Sequence, residues 1–424
     1  MTDIHDGTSV TGARHPRTHA SPGAGLEPDA GAGGGATAVR LLNVDALRGF
    51  ALFGILIVNI WAFADPYYAD TTGNPTYDSG LDHAVRFTMS LLFETKFYLL
   101  FSFLFGYSFT LQMGAAERAG ASFRPRMLRR QAGLLVLGLL HGALLYYAEI
   151  LALYSLLGLI LLACRSTAPA RAVKVALALL VTISVGWLLL GLAVLADGGS
   201  DAPADSEAAD KLAAFGGDAA ATAGFHSGHL AETFVILVLV QGANALAMFF
   251  LGYAAGRRRL FARPEQYRTL LRRTLLIGGP IGLAGAVFYA TSAVYAQGSA
   301  REILAFGVGQ LTAPLLTASY VVLGLALFRT RPGGAVERAL APLGKTALTN
   351  YLLQSVTLGV LFTGYGFGLV DRLSPLTVVA VVPLIYVAQL LLSHWWLRTH
   401  RYGPAEWALR AVTVWRIPTW TAKR

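Results

Sequence analysis

The residues best able to do chemistry in this chain sit inside apolar runs. Asp45, Arg48 and Asn59 interrupt "VDALRGFALFGILIVNI" at residues 44–60. Glu94 and Lys96 interrupt "FETKFYLLFSFLFGYSF", and "LGLLHGALLYYAEIL" carries His141 and then Glu149. Ionisable groups at membrane depth avoid lipid; they pair, line a watery cavity or take part in reactions. At 100° per residue, Asp45, Arg48 and Asn59 fall within one ~60° sector of a helix, so that face points into protein. Asp45 and Arg48, at i, i+3, can pair and lower each other's desolvation cost, and the plain alternative is an ion pair that only orients the helix. Asn59 stands ~20 Å beyond Asp45. Glu94 and Lys96, two apart on a continuous helix, face different ways and each needs a partner from another span. His141 can hold or pass a proton near neutral pH with Glu149 fixing its tautomer; a hydrogen-bonded core histidine is the alternative.

The elements that must position these groups are membrane helices. Of 424 residues 55% are hydrophobic and 14% charged, against about 25% charged in soluble domains. Long continuous apolar runs exclude a barrel and indicate an all-α, polytopic helix bundle. Apolar runs and breakers predict ten spans: 41–63, 86–112, 128–147, 149–164, 172–196, 231–255, 274–296, 302–328, 341–363 and 374–397. With both termini cytoplasmic, the inside segments hold 28 of the 34 Lys and Arg residues and the outside segments four: Arg86, Lys211, Arg301 and Arg372. That split is what the positive-inside rule predicts for a multi-pass protein of the plasma membrane. The formal charge of +10 is therefore a topology signal in a lipid bilayer, with little left for nucleic acid.

Residues 1–39, rich in Gly, Ala, Pro, Ser and Thr, read as a disordered cytoplasmic tail with no secretory signal. Residues 40–418 form one transmembrane domain, interrupted by a flexible, solvated outer loop at 197–230, and 419–424 form a short tail. Cys164 is the single cysteine, so an intrachain disulfide or thiolate cluster is excluded. His226 and His229 in the outer loop have metal-ligand spacing but no third ligand nearby, and no metal is expected. The acidic, aromatic segment "DPYYADTTGNPTYDSGLDHAV" can line a way in from outside. Thr346, Asn350 and Gln354 form a polar stripe, as do Gln241 and Asn244; both suit hydrogen bonding between helices. "YGPAEWALR" reads as an interfacial amphipathic segment.

"NVDALRGFALFGILIVNI", "TKFYLLFSFLFG", "LLHGALLYYAEILALYSLLGLI", "PLGKTALTNYLLQSV" and "RYGPAEWALRAVT" together resemble the YeiB-like family of bacterial membrane proteins, over about residues 40–418. The Asp-x-x-Arg-Gly helix also resembles the transmembrane acyltransferase superfamily, which includes heparan-alpha-glucosaminide N-acetyltransferase and the acyltransferase-3 proteins. That resemblance implies transfer of an acyl group from cytoplasmic acyl-CoA to an acceptor at the outer side through a membrane-embedded histidine. The match for the histidine is His141, with His83 as runner-up. On this reading Arg48, held by Asp45, joins Arg126, Arg129 and Arg130 at the phosphates of CoA. His141, oriented by Glu149, deprotonates the acceptor, while Asn59 and Lys96 stabilise the oxyanion. The resemblance leaves the acceptor open among sugar, lipid-linked glycan, peptide and small metabolite. A transporter or flippase using the same groups as a proton and substrate pathway is the first rival, and a non-catalytic scaffold the second.

Overall fold

A computed structural model describes residues 30–68, 73–198 and 207–421. Among them are sixteen α-helices and no β-strand beyond one bridge between His400 and Thr421. The helices are α1 (Ala30–Ala64), α2 (Gly80–Leu92), α3 (Lys96–Arg118), α4 (Phe123–Leu144), α5 (Leu151–Ala163), α6 (Pro169–Ala196), α7 (Ala208–Gly216) and α8 (Ala219–Leu237). They continue with α9 (Ala243–Arg257), α10 (Arg268–Arg273), α11 (Gly279–Tyr295), α12 (Ala300–Phe328), α13 (Arg331–Lys345), α14 (Ala347–Phe362), α15 (Pro375–Trp396) and α16 (Pro404–Val414). One π-helical turn, Val238–Gly242, joins α8 to α9, and another, Thr274–Gly278, leads into α11.

Among the described residues seven helical stretches are long and apolar enough to cross a membrane: Leu42–Ala64, Gly80–Arg118, Pro169–Ala196, Ala219–Arg257, Pro264–Tyr295, Ala300–Phe328 and Pro375–Trp396. The short apolar helices α5 and α14 fall on two further expected spans, and α4 on a third. Exposed Leu and Val side chains cover α6 and α15. Local chemistry sets many of the helix starts. Ser79 and Asp82 form a capping box on α2, and Asp218, Ser299, Thr330 and Ser374 cap α8, α12, α13 and α15; each supplies an acceptor to an otherwise orphaned N–H. Helix α3 packs directly on α9 because Gly106 and Gly252 leave no room for a side chain against the carbonyls of Phe249 and Phe103, the small-residue contact typical of membrane bundles.

Three expectations change. The span read at 86–112 is broken. Helix α2 ends at Leu92 and α3 begins at Lys96, with Thr95 between them at φ 68°. The outer loop read as flexible and solvated at 197–230 is largely helical: α7 and the start of α8 bury Lys211, Phe215, Thr222 and His226. Phe215 packs on Phe63, and its carbonyl accepts from Gly364 N at 2.6 Å, so this segment closes over one end of the bundle. Residues 199–206 of that loop lie outside the described residues. The expected tail at 1–39 lies outside them up to residue 29, while α1 already starts at Ala30. At the other terminus, Trp420 packs edge-on against Trp396 and Trp407, so the short tail begins docked.

Candidate functional site

A cavity of about 640 Å³ runs along the inward face of α1, lined by Arg48, Asn59 and Asp65 among others. Seventeen residues of helix and its C-terminal turn separate Arg48 from Asp65, ~25 Å at 1.5 Å per residue, close to the ~30 Å hydrocarbon thickness. The predicted polar face of the first helix thus coincides with the cavity wall.

The Arg48 end is cationic. Arg48 donates to Asp45 Oδ1 at 2.7 Å and to Ser108 Oγ. Asp45 does not itself line the cavity, but it pins the guanidinium that does. Arg130 of α4 and Lys345 at the end of α13 line the same end. The Nε of Arg130 is buried and has no hydrogen-bond partner among the described residues. Of the other two arginines expected here, Arg126 does not line the cavity, and Arg129 stacks over the Trp415 ring at 5.8 Å. Glu406 is the opposing charge. It accepts from Leu348 N at 2.6 Å, Thr349 N at 3.1 Å and Thr349 Oγ1 at 2.6 Å, and so caps α14 from α16. Burial pushes its carboxyl up, against the opposing pull of the bonds from Thr349 and Leu348.

Midway along, the wall comes from the break between α2 and α3. Glu94 Oε2 accepts from Ser90 Oγ at 2.8 Å and from Tyr289 OH at 3.2 Å. Lys96, 1% exposed, donates to the Ser90 carbonyl at 2.6 Å and lies over the Tyr289 ring at 5.6 Å. The expected divergence of Glu94 and Lys96 holds only for a continuous helix; the break turns both toward Ser90 and Tyr289. Lys96 stands behind the wall that Glu94 lines. Asn59 lines the cavity as well, and its Oδ1 accepts from Tyr146 OH at 3.5 Å. Phe101, Phe105, Tyr98 and Tyr154 make an aromatic stretch between these groups and the Arg48 end, and the π turn contributes Val240 and Gln241.

His141 lies elsewhere. It is 2% exposed and stands behind Tyr351 and Tyr146, which line the cavity, with ring centroids 5.1 and 6.2 Å away. Its Nε2 meets Ser355 Oγ at 2.9 Å and its Nδ1 is 3.4 Å from Glu149 Oε1. Glu149 accepts from Leu151 N at 2.7 Å and Ala152 N at 2.8 Å, so its carboxylate caps α5 as it approaches the histidine. The runner-up His83 is on the surface of α2, 2.8 Å from Asp78. His226 is buried and His229 Nδ1 meets Phe225 O at 2.9 Å. Among the described residues no group of three His, Cys, Asp or Glu side chains could hold a metal ion.

At the Asp65 end, Asp65 accepts from Tyr67 N, Asn74 Nδ2 and Arg86, at 3.0, 2.9 and 3.3 Å. Asn74 also reaches Asp371, whose N–H bonds Ala64 O. The Lys211 ammonium donates to the Asp65 carbonyl at 3.2 Å; burial lowers its pKa to about 8, with Asp65 and Glu207 pulling the other way. The two polar stripes tie helices together. Asn350 and Thr346 meet Ser393, Gln354 meets Gln389, and Asn244 meets Gln310. Sequence reasoning missed Glu406, Ser108, Tyr289 and Ser355 as neighbours of the site. Each reaches it over a long sequence separation, and only Glu406, as the acid in "GPAEW", carried a local signal.

A family model described as "Protein of unknown function (DUF418)" matches residues 255–416. The chain is 30% identical over 389 residues to the uncharacterized protein YxaH of Bacillus subtilis (strain 168), covering 88% of this chain and 94% of that protein. It is 28% identical over 386 residues to the uncharacterized protein YeiB of Escherichia coli (strain K12), covering 88% and 96%. A further 28% match, over 399 residues, is to an uncharacterized 39.9 kDa protein in the amylase 3' region of Bacillus acidopullulyticus, covering 91% and 95%.

Proposed function

The chain belongs to the YeiB-like family, and from that premise and its cavity we propose that it is a membrane-embedded acyltransferase. It carries an acyl group from cytoplasmic acyl-CoA to a small-molecule or glycan acceptor at the outer side. The observation that carries this reading is one cavity with Arg48, Arg130 and Lys345 gathered at one end and the charge-matched group around Asp65 and Arg86 at the other, ~25 Å apart. In this reading α4, α5 and α14 complete ten crossings of the plasma membrane, with both termini cytoplasmic. The Lys and Arg distribution supports that orientation, and it puts Arg48, Arg130 and Lys345 at the cytoplasmic mouth.

Guanidinium forks match phosphate oxygens in geometry and charge, so Arg48 and Arg130 grip the phosphates of the donor while Lys345 adds a point charge. Asp45 and Ser108 together hold the Arg48 guanidinium in place. The thioester arm runs past the aromatic stretch to Asn59, whose amide can donate to the oxyanion that forms on the acyl carbon. The acceptor comes from the Asp65 end. His141 and Glu149 act in this reading from behind Tyr351 and Tyr146, setting where those rings stand.

The test is purified protein in detergent with acetyl-CoA, following binding by calorimetry and thiol release by absorbance. Binding that weakens in Arg48→Gln supports transfer. One observation favours a second reading: a helix broken at mid-depth beside Glu94 and Lys96 is the kind of element that builds transport sites. Absence of CoA binding together with solute flux in proteoliposomes would establish that reading instead.

A further inference from the structure

We propose that Glu94 is the general base of the transfer, taking the proton from the acceptor's nucleophile in the middle of the cavity. The inference rests on the acyl-transfer reading and replaces His141 in that role. Three observations carry it. Glu94 lines the cavity, whereas His141 does not. Both of its hydrogen bonds, from Ser90 and Tyr289, fall on Oε2. Among the described residues Oε1 accepts none, so one carboxylate oxygen is held and the other is open to a ligand. The carboxylate is also delivered by a backbone break at Thr95, whose positive φ of 68° a β-branched residue rarely adopts. Such strain persists only where surrounding structure enforces it, and it gathers at functional sites.

The neighbours suit the step. Tyr289 bonds Glu94 directly, and Lys96, Tyr68 and Glu302 act on it through space. Trp61 is another lining residue, and its indole N–H is buried without a hydrogen-bond partner among the described residues. The chemistry balances. The acceptor O–H or N–H gives its proton to Glu94 Oε1 as its heavy atom bonds the acyl carbon. The C–S bond then breaks, and the CoA thiolate takes the proton from Glu94. Carboxylates lining this half of the cavity (Glu94, Glu302, Asp65) are matched by Arg86, Lys96 and Lys211, so the acceptor class is a neutral polyol or amine rather than an anion.

The experiment uses the full chain in detergent, acetyl-CoA as donor, and glycerol and glucosamine as acceptor probes. Glu94→Gln, which preserves shape, is expected to bind acetyl-CoA within twofold of wild type. It is expected to release CoA ~100-fold or more slowly, the usual range for losing a general base. The acid limb of the pH–rate profile disappears with it. His141→Asn is expected to retain the rate within tenfold. Glu94→Gln at wild-type rate, or His141→Asn abolishing release while Glu94→Gln does not, overturns the base assignment alone. Wild-type protein that fails to bind acetyl-CoA, or binds it without releasing CoA to either probe, overturns the transfer reading together with it.

Discussion

Glu149 and Glu94 are both carboxylates inside an apolar bundle, the first buried and the second partly exposed to the cavity, and their surroundings differ in kind. Glu149 spends both oxygens on the first N–H groups of α5 and also meets His141. Glycines crowd it: a Cβ on Gly138 would lie 2.6 Å from Glu149 Oε2. Glu94 is held through one oxygen, at a broken helix, beside open volume. Burial alone therefore does not mark a reactive group. What separates the two sites is whether bonding capacity is left over, and whether space remains for a ligand.

Stability measurements can break that contrast. Glu149→Ala leaves two N–H groups of α5 and the His141 ring without their acceptor and should cost about 3 kcal/mol in unfolding free energy. Glu94→Gln should cost less than about 1 kcal/mol. Denaturant titration in mixed micelles reads both, and equal losses would erase the distinction. Gly138→Ala should displace Glu149 and cost about 2 kcal/mol by overpacking, while Gly224→Ala, on an open stretch of α8, should be close to neutral.

The capping segment sharpens the comparison through pH. Lys211 is lowered to about 8 in the folded chain, against about 10.4 unfolded. Between those values the unfolded chain binds more protons, so stability should rise as pH climbs through this window. Lys211→Met should abolish that rise, worth on the order of 1–2 kcal/mol, in thermal melts at pH 8 and 10. A rise of the same size in the variant would show that another group is responsible. The smallest effect is expected at the α14 cap. Thr349→Val removes one of the three bonds to Glu406 and should cost about 1 kcal/mol, read as a lower melting temperature with acetyl-CoA binding retained.

Much of the helix arrangement was legible in the sequence because membrane helices announce themselves by apolar length and flanking charge. The polar face of α1 was legible too, since Arg48 and Asn59 share a sector whatever surrounds them. The break after α2 was not, because "SLLFETKFYLL" contains neither Gly nor Pro; three adjacent polar residues, Glu94, Thr95 and Lys96, were the only sign. The outer segment looked solvated from its acidic, Gly-rich start, while the residues that bury it, Phe215, Phe225 and His226, come later and are spread over two helices. His141 looked reactive because depth was readable and neighbours were not. Ser355, which occupies its Nε2, is 214 residues away. Arg126, Arg129 and Arg130 looked equivalent in "RPRMLRR", and only helix phase and the docking of Trp415 separate them.

That separation offers the most direct test of the central claim, that the cavity's basic end holds a CoA donor. Calorimetric titration of acetyl-CoA into wild type, Arg130→Gln and Arg129→Gln compares a cation facing the cavity with its neighbour one position away. Losing a charge-assisted bond of ~1.5–3 kcal/mol predicts affinity about 10- to 100-fold weaker in Arg130→Gln, with Arg129→Gln within twofold of wild type. No binding by wild type, or equal weakening in the two variants, would contradict it.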